Sequence, residues 1–267
     1  SQDDYTMKID DRLWNIIVTD AQEASVHEPV MAPFFQAAIL NHDSLEAALS
    51  YHLAEQLGDP IVPVEPLSMV IAEALRADPS IGRCIRLDIE AYFERDAACE
   101  RHITPILFFK GFQALQLQRI SHWLWHRDRR VLALFFQNKI SETFAIDIHP
   151  GAKIGSGIMI DHGTGLVIGE TAIIGNDVSI LHSVTLGGSG CVGGDRHPKI
   201  GDGVMISVGA KILGNITIGE GSKVGAGSLV LDDVPAHVTV AGVPAKIVGR
   251  PDGDAPALEM DQCLDAV

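Results

Sequence analysis

A small or aliphatic residue returns every sixth position through most of residues 154–230: Ile154, Ile160, Leu166, Ala172, Val178 and Val184, then, past an interruption, Ile200, Ile206, Ile212, Ile218, Val224 and Val230. An α-helix repeats its apolar face at three and four residues and a strand at two, so a period of six belongs to neither alone. It marks a parallel β-helix, in which each hexad supplies a short strand and a turn and sends its aliphatic side chain into the shaft. A second apolar position at Ile168, Ile174, Ile180 and Leu186 reinforces the pattern, and Gly169 and Gly175 suit sharp corners between strands.

The register breaks once. Between Val184 and Ile200 the chain runs ten residues beyond one hexad, reading Leu186-Gly-Gly-Ser-Gly-Cys-Val-Gly-Gly-Asp-Arg-His197-Pro. A solenoid accepts an insertion only as a loop thrown off its surface, and such loops commonly form binding faces. This loop is the first place to look for chemistry.

Ahead of the repeat, residues 10–144 have helical habits. Ser44 caps a segment with Leu45, Leu49, His52, Leu53 and Leu57 along one side, and Gly58 ends it. The proline-rich passage 60–66 is a stiff connector into a helix carrying Leu67, Val70, Ile71 and Leu75, with Pro66 in its first turn. Further helices are expected over 81–95, from a Thr104 cap through Leu107, Phe112, Leu115, Ile120 and Leu124, and over 129–144. Trp14, Phe34, Phe35, Trp123, Trp125, Phe135 and Phe136 supply a core, an oligomer interface, or both. The expected fold is α + β: a helical oligomerisation domain (1–144), a left-handed parallel β-helix of hexapeptide repeats with one inserted loop (145–249), and a flexible, acidic C-terminal tail (250–267).

The 35 acidic against 20 basic residues give a net charge of -15, which argues against general binding to nucleic acid or an anionic membrane. Cys84, Cys99, Cys191 and Cys263 lie at irregular intervals with no Cys-x-x-Cys pair, so neither a metal nor a disulfide framework is indicated. No apolar run reaches membrane-spanning length, and residues 1–11 are too acidic for a signal peptide. A cytoplasmic location is expected.

Histidine is the natural general base near neutral pH, and of the eleven here two have suggestive contexts. His162 follows Asp161 in a hexad whose inward positions are already filled, so its side chain belongs at the outer surface. His197 lies in the inserted loop within Asp195-Arg196-His197-Pro198.

The runs Asp147-Ile-His-Pro-Gly-Ala-Lys-Ile-Gly, Asp161-His162-Gly-Thr-Gly, Gly169-Glu-Thr, Val184-Thr-Leu-Gly-Gly188 and Gly194-Asp-Arg-His-Pro-Lys-Ile200 resemble the serine O-acetyltransferase family, as does the helical half with Thr104-Pro-Ile-Leu-Phe-Phe-Lys-Gly-Phe. That family makes O-acetylserine from L-serine and acetyl-CoA, the first committed step toward cysteine. The resemblance implies His162 as general base and Asp147 as the carboxylate orienting its imidazole. Asp96 and Asp161 would hold the substrate ammonium, with Arg196 and His197 at the carboxylate side. An oxyanion donor near Gly188 is implied as well. For acetyl-CoA, taken as cosubstrate without a metal, Gly188, Val208 and Lys223 are the candidates, with Lys211, Lys246 and Arg250 as further cations for its phosphates. Direct transfer in a ternary complex is implied, and a homohexamer built as a dimer of trimers with active sites between neighbouring subunits.

Ser189 and Cys191 replace the Thr and Lys common in the family's loop, and Ser207-Val208 replaces a Gly-Ala pair. The family's tail usually ends in Ile and inserts into O-acetylserine sulfhydrylase, whereas this chain ends Cys263-Leu-Asp-Ala-Val267. Other readings remain at this stage. They are an acyltransferase for a sugar or amine, a γ-type carbonic anhydrase using His162, His182 and His197 on zinc, a covalent mechanism through Ser183 or Cys191, and a noncatalytic scaffold.

Overall fold

The computed structural model describes residues 2–190 and 193–264, with side chains from residue 12 onward. Cys191 and Val267 lie outside the described residues. The chain divides into two compact units, Ser1–Phe109 and Lys110–Val267.

The first unit is helical. Helix α1 (Gln2–His27) is followed by α2 (Ala32–Phe35), which runs into a π-turn over Gln36–Leu40. Helix α3 (Leu45–Leu57) opens where Ser44 Oγ accepts the Ala47 N–H at 3.3 Å and closes at Gly58, as the capping residues require. Helices α4 (Val64–Ala77), α5 (Pro79–Arg95) and α6 (Ile103–Phe108) complete it. Its core is aliphatic, with Ile17, Ile39, Leu49, Leu53, Ile71 and Ile89 excluded from solvent. Thr104 does not cap α6: the helix begins at Ile103, with His102 at the N-cap. The long apolar helix expected through Leu124 is also interrupted. Phe109 adopts an extended conformation, and a new helix, α7 (Lys110–Trp125), starts in the second unit.

Helix α7 and α8 (Arg130–Phe144) therefore belong to the same compact unit as the repeats, although helical structure ends at Phe144 as the sequence indicated. Strands β1 (Ile146–Ile148), β2 (Lys153–Ile154) and β3 (Met159–Ile160) form the first coil, and β4 (Leu166–Ile168), β5 (Ile173–Ile174) and β6 (Ser179–Ile180) the second. The third coil holds β7 (Thr185–Gly187), β8 (Lys199–Ile200) and β9 (Met205–Ile206). The fourth holds β10 (Lys211–Leu213), β11 (Thr217–Ile218) and β12 (Lys223–Val224). Strands β13 (Leu229–Val230), β14 (Thr239–Gly242) and β15 (Ala245–Gly249) finish the shaft.

Stacking makes three parallel sheets, β1-β4-β7-β10-β13, β2-β5-β8-β11 and β3-β6-β9-β12-β14, with β15 antiparallel at the last edge. Aliphatic columns run down the interior: Ile154, Ile174, Ile200 and Ile218 are in register, as are Ile160, Ile180, Ile206, Val224 and Val240.

The column registers correct the length of the insertion. A regular coil takes 18 residues, as from Ile200 to Ile218, whereas Ile174 pairs with Ile200, 26 residues on. The loop thus adds eight residues, not ten. The other two belong to the first coil, where Ile148 pairs with Ile168, 20 residues on. They lengthen the corner at 161–165, which shifts the six-residue series from one column to a corner position. That longer corner carries Asp161 and His162.

The C-terminal segment is a second correction. Where the sequence suggested a tail free of the shaft, residues 254–264 lie along it: Pro256 and Ala257 of the short helix α9 (Pro256–Glu259) are buried, and Ser179 Oγ donates to Ala257 O at 2.8 Å. Ala257 packs with Leu181 and Met205, flanked by Val208 and Met260. No helix among the described residues is long and apolar enough to cross a membrane.

Candidate active site

At the lengthened corner His162 has φ +58°, a left-handed conformation costing a non-glycine residue about 1–2 kcal/mol. Local packing holds it there. The Gly163 N–H donates to Asp161 O at 2.6 Å and the Gly165 N–H to Ala145 O at 2.8 Å. A Cβ on Gly163, itself at φ +77°, would lie 2.6 Å from Ile146 Cδ1. The result is an imidazole 72% exposed, with Nε2 3.7 Å from Asp161 Oδ1 and its ring edge-on to His182 of the next coil, centroids 5.5 Å apart. Lys110 at the start of α7 donates to Thr164 Oγ1 in the same turn.

The inserted loop leaves from a different corner. Its base is fastened by Lys199, whose Nζ donates to Thr171 O at 3.0 Å, His197 O at 2.6 Å and Asp195 Oδ1 at 2.6 Å. Arg196 donates to Glu170 Oε2 at 2.8 Å and to Gly194 O at 2.9 Å, and this guanidinium holds the Glu170 carboxyl below its ordinary range. His197 is buried, 7% exposed, and burial followed by the charge of Arg196 pushes its pKa below the usual histidine value. Its ring lies so close over the backbone that a Cβ on Gly169 would fall 2.0 Å from Cδ2 and Nε2. Gly169 therefore serves to admit the imidazole rather than only to turn a corner. Next to this cluster an open groove of about 280 Å³ is lined by Trp125, Lys153, Glu170, Thr171, Asp195 and Lys199.

His149, not singled out from sequence, faces the same cluster: its Nδ1 accepts the Gly151 N–H at 2.9 Å and its ring meets the edge of Trp125 at 4.9 Å. Burial lowers its pKa, opposed by the charges of Glu170 and Asp147. Asp147 itself, on β1, accepts a hydrogen bond from Gln137 Nε2 at 2.8 Å; the carboxylate beside His162 within one chain is Asp161. Asp96 belongs to the helical unit, where it ends α5 and accepts the Ala98 N–H at 2.8 Å.

Gly188 stands where the loop begins, with Arg196 Cγ 3.4 Å from where its Cβ would be. Val208 takes part in the contact with the C-terminal segment, and the 4%-exposed Lys223 donates to Cys263 O and reaches Asp261 at 3.5 Å. Lys211 donates to Ser183 O and Gly209 O, so of the four cationic candidates Lys246 and Arg250 are the exposed ones. Ser183 Oγ donates to Thr164 O at 3.4 Å, a carbonyl rather than a base, which gives no activation of a nucleophile. Among the described residues no three His, Cys, Asp or Glu side chains are grouped to hold a metal within the chain.

A parallel β-helix of hexapeptide coils, with an exposed histidine on one corner and a fixed Arg–His pair on a loop, defines a hexapeptide-repeat acyltransferase. Residues 197–232 match the family model for bacterial transferase hexapeptides, and residues 13–117 match that for the serine acetyltransferase N-terminal region. Serine acetyltransferase of Escherichia coli K12 is 55% identical over 255 residues, 96% of this chain and 93% of that one. A serine acetyltransferase structure from Vibrio cholerae superposes with a TM-score of 0.94 at 54% identity, covering 96% of this chain and 99% of the other. One from Brucella abortus in complex with coenzyme A gives 0.88 at 49%, covering 90% and 96%. One from Neisseria gonorrhoeae in complex with serine gives 0.86 at 52%, covering 88% and 96%. The chain belongs to the serine acetyltransferase family and is an acyltransferase.

Proposed function

We propose that this chain transfers the acetyl group of acetyl-CoA to the hydroxyl of L-serine by direct attack, releasing O-acetylserine and CoA. His162 removes the hydroxyl proton as the serine oxygen bonds to the thioester carbon. The tetrahedral intermediate then collapses with departure of the CoA sulfur, which takes the proton back from the imidazolium. Asp147 exchanges Gln137 for the second imidazole nitrogen. Asp161 and Asp96 receive the ammonium, and Arg196 and His197 the carboxylate, so opposite charges meet the two ends of the zwitterion. A backbone N–H near Gly188 faces the developing oxyanion.

The observation that carries this reading is the separation of the two halves of the site. His162 lies on the turn between β3 and β4 and Arg196–His197 on the loop between β7 and β8, at opposite ends of the sheet that holds β4 and β7. Two solenoids placed side by side bring one chain's histidine corner to the neighbour's loop, which supports a trimer with active sites between subunits, paired through the helical units into a hexamer. The coenzyme A and serine named with the related structures agree with the substrates proposed. Acetyl-CoA lies in the same cleft, and a phosphate at Lys223 takes the place of Asp261. The reaction belongs in the cytoplasm, and a tail ending in Val267 is proposed to engage O-acetylserine sulfhydrylase.

Thiol release from acetyl-CoA, followed with serine and with the same protein carrying His162→Ala, tests the proposal. Serine-dependent release is expected, with turnover lower by about two to four orders of magnitude in the variant. Near-normal turnover in a folded variant would remove His162 from its role.

A further inference from the structure

The imidazole of His197 is governed by one residue. Thr171 Oγ1 accepts the backbone N–H of Arg196 at 3.0 Å and of His197 at 3.1 Å, and stands 2.9 Å from His197 Nδ1. The Thr171 N–H donates to the same Nδ1 at 3.2 Å. A hydroxyl has two acceptor sites and one proton. With both acceptor sites engaged by N–H groups, the single Thr171 proton faces two acceptors, Nδ1 and the Asp195 carboxylate, which this hydrogen bond helps to hold below its ordinary range. An Nδ1 that accepts the Thr171 N–H carries no hydrogen of its own, so the neutral ring bears its proton on Nε2.

From this arrangement we infer that Thr171 is a positioning residue for the serine reaction: its N–H fixes His197 as the Nε2–H tautomer and its hydroxyl sets the Arg196–His197 backbone, so that the pair meets substrate already oriented as donors. This rests on the assignment of Arg196 and His197 to the serine carboxylate. The loop has a second, independent anchor, because Lys199 Nζ holds the main-chain carbonyls of Thr171 and His197 and the Asp195 carboxylate. None of those contacts uses the Thr171 hydroxyl. Removing the hydroxyl therefore releases the Arg196 and His197 N–H groups and leaves the loop attached. Valine is the apt replacement, being branched at Cβ like threonine with a methyl in place of the hydroxyl.

The experiment uses the intact oligomer as wild type, T171V, T171S and H197A, with serine and acetyl-CoA varied in turn. Histidine-selective ¹⁵N labelling reads the His197 tautomer, its signals assigned by their loss in H197A. T171V is expected to raise the KM for serine about tenfold or more, to leave the KM for acetyl-CoA within about twofold, and to keep the Nε2–H tautomer, because the N–H of residue 171 remains. T171S, which keeps the hydroxyl, is expected to recover most of the serine affinity. A wild-type serine KM in T171V overturns the inference, as does a wild-type His197 protonated on Nδ1. So does equal damage to both substrates in T171V and T171S. If H197A leaves the serine reaction untouched, the underlying site assignment fails instead, and the ring signals still decide whether Thr171 sets the tautomer.

Discussion

Replacing Gly169 by alanine tests the site with a single methyl group. The added Cβ would lie 2.0 Å from His197 Cδ2 and Nε2 and 2.8 Å from Cε1, where ordinary contacts begin near 3.4 Å. The backbone at this glycine is not left-handed, so alanine meets no strain of its own, and the ring is what has to move, by roughly 1.5 Å. Such a shift takes Nδ1 out of reach of the Thr171 hydroxyl and N–H, now at 2.9 and 3.2 Å. Two lost hydrogen bonds cost about 2 kcal/mol, offset by about 0.4–1 kcal/mol from the less flexible unfolded chain, so folding weakens by only ~1–1.5 kcal/mol. That corresponds to a fall in Tm of a few degrees. Misplacing a donor to a carboxylate costs more at the reaction, about 1.5–3 kcal/mol, or roughly 10- to 150-fold in kcat/KM for serine. Thiol-release kinetics beside a thermal melt separate the two effects. A folded G169A with serine kcat/KM within threefold of wild type would refute the placement of His197 at the substrate.

Arg196→Ala is expected to raise the serine KM by one to two orders of magnitude and the acetyl-CoA KM little, since a charge-assisted contact is worth about 1.5–3 kcal/mol; equal weakening for both would assign Arg196 to loop architecture. In the helical unit, burial drives the His52 pKa from 6.5 down to about 4. The unfolded chain then binds the extra proton between those values, so stability is complete above pH 6.5 and falls toward pH 4 by on the order of 3 kcal/mol. Urea unfolding of H52L should show a flatter acid limb, and an unchanged slope would contradict it. Truncation after Gly249 bares Leu181, Met205 and Val208 and should lower Tm by several degrees without loss of the β-helix circular dichroism.

The solenoid was legible because its columns repeat: one buried aliphatic per hexad leaves a period that no helix imitates, and Ile200, Ile206, Ile212 and Ile218 all reach the interior. The length of the insertion was not, because a two-residue excess at 161–165 and an eight-residue loop sum to one break in the six-step count. The telling sign was the change from Ile160 to Ile168, an eight-residue step, beside Asp161-His162. Phe109 was hidden in another way, since the apolar pattern runs straight through the residue that turns extended between α6 and α7. Thr171 carries no mark in a sequence, where its hydroxyl is one polar atom among many. Its importance arises only when a loop 25 residues later folds back onto it. The docking of residues 254–264 escaped notice because an acidic segment with Pro and Gly shows no face until Leu181 and Met205 supply the other half of the contact.

Helix α7 has a consequence for how the molecule ends. Its polar side chains are spent on the first coil's open rim. Gln118 donates to Ala152 O, Arg119 to the carbonyls of Ile154 and Gly155, and His122 to Pro150 O at 2.7 Å. At the far rim β15 turns back antiparallel against β14. A stack of parallel strands is otherwise a template on which another chain's strands can add without limit. Side chains therefore occupy one mouth of the described shaft, and at the other the reversed strand β15 takes up the edge of the sheet that ends in β14, leaving β13 as the last strand of its own sheet.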